Sequence, residues 1–371
     1  MIHLESDYNN GAHEAVLRHF METNAERTQS YGDDRFSEHA RALIREACEV
    51  PEAQIWFLAG GTQTNATIID CVLQPYEGVL CADTAHINVH EAGAVEFTGH
   101  KVIALPHHEG KLEANDVKNW LKAYFADDTS EHMVHPGMVY ITFPTELGTL
   151  YTADELTALH AVCQEYEIPL YVDGARLAYG LAASPLAHGR GLGGEAVTLP
   201  FLSRTADIFY IGGTKCGALC GEAVVFPKGD APSHMLSRIK RHGALLAKSR
   251  VVGVQFEALF TPQPSSINPH PSSLIHQPPL PLYLQLGQQA VTLAMRLRRL
   301  FVERLGYQPF IDSPTNQQFY IIPNSDLEGL RQHIGYEVWC PVDEHHTACR
   351  FVTSWATTEE EIAELEDKLL H

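Results

Sequence analysis

The tightest constraint on the fold is an alternation. Between about residue 36 and residue 230, short continuous apolar runs take turns with segments of helical periodicity. The runs are Gln54–Leu58, Val79–Ala82, Val102–Leu105, Val139–Phe143, Leu170–Asp173, Ile208–Ile211 and Ala223–Phe226. They are unbroken rather than alternating, as expected of strands covered on both faces of a sheet. Between two of them lies TADELTALHAVCQEYE, where Thr152 and Glu155 have capping-box spacing and Leu156, Leu159, Val162, Cys163 and Tyr166 form one helical stripe. Strand–helix–strand repetition predicts an α/β fold with a mainly parallel sheet.

The pattern changes after about residue 250. Residues 261–281 hold seven prolines and no sustained periodicity, which predicts a loop or extended insert. A helical stretch over Leu282–Leu305 follows, then strand-like runs at Gln318–Ile322 and Arg350–Thr353. The last helix carries Thr357 and Glu360 as a capping pair, with Ile362, Leu365 and Leu369 facing inward. The expected organisation is a large domain over 1–250 and a smaller α+β domain over 251–371, without internal repeats.

With 371 residues, 45% of them hydrophobic, the chain can bury two cores. A formal charge of −20 repels phosphate backbones and makes nucleic acid a poor partner. No apolar run reaches membrane-spanning length and no basic-then-apolar leader opens the chain, so a cytoplasmic protein is expected. The eight cysteines lie mostly in apolar runs and form no CxxC clusters, which suits free thiols in a reducing compartment. His107-His108 and His345-His346 read as surface histidines rather than metal ligands, and no metal is expected.

Four segments carry candidate chemistry. In LAGGTQTN (58–65) a strand gives way to two glycines and a helix start, so Gly61 and Thr62 make either a phosphate cradle or an ordinary capped turn. In YVDGARLAYG (171–180) Asp173 ends a buried strand, at the edge where open α/β sheets bind ligands, and Arg176 either shares that crevice or simply pairs with the aspartate. In DTAHINVHEAGAVEF (83–97) His86 either stacks on a planar ligand or is a structural histidine, and Glu91 belongs to the site or to a helix start. In IFYIGGTKCGALCGEAVVF (208–226) Lys215 sits between two apolar strands, where a desolvated lysine makes a Schiff base and a hairpin lysine snorkels to solvent. Taken together, a phosphate cradle, a flat imidazole, a strand-end acid and a later lysine are what pyridoxal phosphate requires.

At this point the chain resembles the low-specificity L-threonine aldolases, including their phenylserine-aldolase-like branch. The resemblance rests on LESDYNNGAHE (4–14), YGDD (31–34), GGTQTN (60–65), TAHINVHEAGAVEF (84–97), TELGTLY (145–151), VDGARL (172–177), GGTKCGALCGEAVVF (212–226) and ACRFVTSW (348–355). It implies the aspartate-aminotransferase fold of pyridoxal-phosphate enzymes (fold type I) and retro-aldol cleavage of a β-hydroxy-α-amino acid to glycine and an aldehyde. It further implies that Lys215 carries the cofactor, Asp173 faces the ring nitrogen, His86 stacks on the ring, and Gly61, Thr62 and Thr214 hold the phosphate. Arg176 and Arg350 would clamp the substrate carboxylate with help from Ser6, and Lys248 would reach a neighbouring subunit's phosphate. A homodimer or homotetramer with shared sites is expected on the same ground.

The chain departs from many members at Glu146, where they carry a histidine that handles the β-hydroxyl. The phenylserine-like branch has glutamate there too. The proline-rich insert is a second departure. The base for the β-hydroxyl is left among His86, Glu146 and a bound water. Other readings are a β-eliminating lyase on the same cofactor, a nucleotide-binding oxidoreductase resting on GRGLGG (189–194), and a catalytically silent oligomer.

Overall fold

Seven strands assemble one central sheet: β1 (Gln54–Leu58), β2 (Glu77–Ala82), β3 (Lys101–Leu105), β4 (His135–Thr142), β5 (Leu170–Asp173), β6 (Ile208–Gly212) and β7 (Glu222–Phe226). The computed structural model describes residues 1–184, 195–263 and 279–371. GRGLGG and residues 264–278 of the proline-rich stretch therefore lie outside the described residues.

The strand order is β1-β7-β6-β5-β4-β2-β3. Strands β2 to β6 pair in parallel, and β7 runs antiparallel to both of its neighbours, β1 and β6. Every residue of β5, β6 and β7 is buried, which accounts for their unbroken apolar sequences. Helices cover the sheet, among them Gly61–Val72, Ala153–Glu165 and Arg250–Phe260. Thr152 and Glu155 form the expected capping box of Ala153–Glu165.

A second, antiparallel sheet joins β8 (Gln308–Pro309), β9 (Gln317–Pro323), β10 (Glu337–Pro341) and β11 (His346–Val352) in the order β8-β9-β11-β10. Its core takes in Tyr320, Phe351, Ile362 and Leu365. The two cores meet along one helix, Leu282–Arg298. Its first half packs Leu282, Tyr283, Leu286 and Val291 into the large core, and Leu293 and Leu297 enter the small one. The chain's first residues also reach the small core, because Ile2–His3 pairs with Ile334–Gly335.

The final helix, Glu359–Leu370, starts one residue later than its sequence predicts. Its capping box is Thr358 with Glu361, not Thr357 with Glu360. Thr357 is already engaged, since its hydroxyl oxygen accepts from the Ser354 N–H at 2.9 Å. Among the described residues no helix is long and apolar enough to cross a membrane.

Candidate active site

The parallel strands point their carboxyl ends at one edge of the sheet, and β7, running the other way, brings its first residue to the same edge. A cavity of about 300 Å³ opens there. Gly61, Thr62, His86, Glu146, Asp173, Thr214 and Lys215 all line it. Seven residues spread over more than 150 positions of sequence thus share one wall.

Asp173 is the last residue of β5 and 3% exposed. Three donors converge on its carboxyl: Asn65 Nδ2 at 2.9 Å and the Tyr140 hydroxyl at 2.5 Å on Oδ2, and the Ala175 N–H at 2.9 Å on Oδ1. The same Asn65 amide donates to Glu91 Oε1 at 2.8 Å, and its oxygen accepts from the Tyr171 hydroxyl at 2.9 Å. Glu91 in turn accepts from His86 Nδ1 at 2.7 Å, so Nδ1 is committed and Nε2 is the ring nitrogen left for the cavity. Burial works against a charge on His86, but the Glu91 hydrogen bond and the charges of Glu146 and Asp173 outweigh it and raise its proton affinity. Burial also pushes the Glu91 carboxyl up.

Lys215 follows β6 in the turn that leads into β7. Burial, then the charge of Arg176, holds its amine below the usual lysine range. No ion-pair partner reaches Nζ among the described residues, and the Tyr8 ring lies 5.8 Å away. The Tyr179 hydroxyl donates to the Lys215 carbonyl at 2.6 Å and fixes the backbone beneath the side chain. The helix Gly61–Val72 aims its first turn at the same cavity, and its cap, Gly60, supplies no side-chain hydrogen bond. Its leading N–H groups are open to an anion.

The remaining expected residues sit outside the lining. Arg176 is 6% exposed and held by Asp7 in a forked pair, Nε to Oδ2 at 2.7 Å and Nη2 to Oδ1 at 3.0 Å. Arg350, on β11, donates from Nη1 to Gln317 at 2.9 Å and pairs through Nη2 with Glu337, and its buried Nε has no partner. Ser6 donates to Asn9 Oδ1 at 2.7 Å. Lys248 is exposed. His108 lies with Glu113 and Asp116 in an exposed cluster, and His346 bonds Asp343.

Five lining residues escape the sequence reading: Tyr8, His90, Ala175, Tyr210 and Glu222. Glu222 had a signal, a carboxylate opening an otherwise apolar strand. Its meaning depends on β7 being antiparallel, which no local pattern reveals.

Open helix amides, an imidazole with one free nitrogen, a strand-end acid held by three donors and a partly desolvated amine are the donor set that pyridoxal phosphate needs. The residues fit the group, and the class defined by fold and site is that of fold-type I pyridoxal-phosphate enzymes. Residues 3–314 match the profile of the Beta-eliminating lyase family, and the chain belongs to that family. It is similar to the low specificity L-threonine aldolase of Pseudomonas aeruginosa, 28% identical over 93% of this chain and 90% of that one. A solved structure of Leishmania major threonine aldolase superposes with a TM-score of 0.86 at 34% identity, covering 100% of both chains. An aspartate aminotransferase from Thermus thermophilus shares the fold at 14% identity, with a TM-score of 0.66 over 100% of this chain and 91% of that one.

Proposed function

We propose that this protein is a pyridoxal-phosphate-dependent aldolase that cleaves L-threonine, L-allo-threonine or related β-hydroxy-α-amino acids to glycine and an aldehyde. The observation that carries the reading is the convergence of Lys215, Asp173, His86 and the Gly61–Thr62 amides on one cavity. When bound, pyridoxal phosphate supplies an electron sink that accepts the pair released from a bond at the substrate's α-carbon.

The chain's own residues would do the rest. Lys215, with its proton affinity lowered by burial, offers a free amine to hold the cofactor. Asp173, kept in place by Asn65, Tyr140 and the Ala175 amide, would keep the cofactor's ring nitrogen protonated. Gly61, Thr62 and Thr214, which line the cavity, would hold the phosphate. Arg176 and Arg350, aided by Ser6, bind the substrate carboxylate. Asp7 grips only Nε and Nη2 of Arg176, which leaves Nη1 for that carboxylate. We assign removal of the β-hydroxyl proton to Glu146, which lines the cavity, because His86 Nδ1 is committed to Glu91 and its ring is left to stack. Lys248 is proposed to serve a neighbouring subunit's site in a homodimer or homotetramer. The eight free thiols support a reducing compartment, the cytoplasm.

A panel of threonine, allo-threonine, phenylserine and serine tests this function, with glycine and aldehyde measured against ammonia. Equimolar glycine and aldehyde are expected. The family's description favours β-elimination as the second reading, and ammonia release without glycine would establish it instead.

A further inference from the structure

Glu222 has no part in the chemistry above, yet it lines the same cavity and is 2% exposed. A buried carboxyl is costly unless it is bonded, and this one is bonded to the lysine's own turn. Its Oε1 accepts from the Thr214 hydroxyl at 2.7 Å, and its Oε2 accepts from the Gly213 N–H at 3.0 Å. These are the two residues immediately before Lys215. The amine itself makes no ion pair with Glu222, so the carboxyl grips the turn and not the side chain the turn presents.

We propose that Glu222 is a positioning residue for Lys215 and that its ionisation sets the alkaline limit of cofactor binding. The proposal deepens the reading in which Lys215 and Thr214 hold pyridoxal phosphate. The titratable groups whose charges act on Glu222 include Lys215 and Cys216 from the turn, Tyr210 from β6, Asp173 and Tyr171 from β5, and Tyr283 from the helix Leu282–Arg298. The strand β1 pairs Leu58 against it, and the helix Arg250–Phe260 packs the apolar Val252 on Gly221. Lys215 thus brings a cation into a setting of carboxyl, phenol and thiol groups. Burial above all, and then the Asp173 charge, pushes the Glu222 carboxyl up to about 8 despite its hydrogen bonds and the nearby lysine. At neutral pH it is a neutral acid that holds the turn without adding charge. Above that range it becomes a second buried anion beside Asp173, facing a ligand whose phosphate is itself close to doubly charged. Repulsion across a desolvated cavity then weakens binding.

The test measures dissociation of pyridoxine 5′-phosphate from the full-length protein by equilibrium dialysis at pH 7 and pH 9. This probe has the ring and the phosphate but no aldehyde, so Lys215 cannot bond it covalently. Between the two pH values the unmodified protein is expected to lose about ten-fold more affinity than Glu222→Gln, because a group titrating near 8 passes from mostly neutral to mostly charged. Pyridoxine phosphate bound with equal pH dependence in both proteins overturns the role of Glu222 and leaves the cofactor assignment standing. An unmodified protein that binds neither this probe nor pyridoxal phosphate overturns both. Thr214→Val, which also weakens phosphate binding at every pH because Thr214 is proposed to hold it, is read by where its alkaline limb falls. It removes a hydrogen bond that favours the charged carboxylate, so the alkaline weakening moves to higher pH, and a limb that stays in place overturns the proposal.

Discussion

The proton affinity of Lys215 is set by what surrounds it rather than by any strong partner. Burial lowers its proton affinity, and no carboxylate within ion-pair distance restores it among the described residues. Lys215→Ala is expected to abolish the visible absorbance of the bound cofactor and to lower turnover by at least about 10³-fold, in absorbance spectra and glycine-release assays. Normal turnover in that variant would remove the basis of the proposed function. His86 and Asp173 are wired together through Glu91 and the single amide of Asn65. Asn65→Ala is expected to leave two buried carboxyls short of a donor each and to cost about 2–4 kcal/mol in urea unfolding. None of this wiring is legible in sequence, since Asn65 and Asp173 are 108 residues apart. Gly61, Thr62, His86, Glu146, Asp173, Thr214 and Lys215, which share the cavity, were legible as candidates because each lies at or within four residues of the end of a strand, whereas Arg176, Arg350, Ser6 and Lys248 do not line it.

At the scale of elements, the seven sheet strands could be read from their apolar runs, but their ends could not. Glu77, Lys101, His135 and Glu222 all belong to strands, because the backbone ladder continues past the last apolar side chain. The cap of the last helix shows a different limit. ATTEEE offers two threonines with a glutamate three residues on, and only the Ser354–Thr357 hydrogen bond decides between them. Asp207 anchors the start of this architecture. It accepts from the Leu170 N–H at 2.9 Å, where β5 begins, and from Lys228 Nζ at 2.6 Å just beyond β7. Burial opposes its charge, but His160, Lys228 and the Leu170 amide outweigh it and hold the carboxyl well below the usual range. A carboxyl depressed in this way stabilises the fold above about pH 4 and loses that contribution as pH falls. Asp207→Asn is therefore expected to cost about 1–3 kcal/mol at pH 7, with the deficit shrinking between about pH 4 and pH 2 in urea titrations. The discount for the half-exposed Lys228 is included in that range.

At the scale of the whole molecule, Asp7 is the junction. From the N-terminal segment it holds Arg176, just past β5, and accepts from Asn316, just before β9, at 3.0 Å. One carboxylate therefore joins the chain's first residues to both sheets. Burial opposes its charge, and Arg176, together with the Lys215 charge and the Asn316 hydrogen bond, outweighs it. Asp7→Ala leaves an uncompensated buried guanidinium and is expected to cost about 3–5 kcal/mol by urea unfolding, with Asp7→Asn milder. The division into two sheets was visible in the change of pattern near residue 250. The return of residues 2–7 to the far domain was not, because two residues of strand carry no periodicity.

The turn that carries Lys215 is closed at both ends. The Gly213 N–H donates to the Gly221 carbonyl at 3.0 Å, and the Gly221 N–H donates to the Thr214 hydroxyl at 3.1 Å. Gly221 adopts φ +114°, where a side chain would be strained, and a Cβ there would lie 2.6 Å from Val252. Because the turn bridges adjacent antiparallel strands, its span is dictated by the spacing between them. The amine's reach is thus a property of the sheet's pitch. One residue inserted between 213 and 215 would displace the lysine by a step while the walls outside the turn stayed where they were.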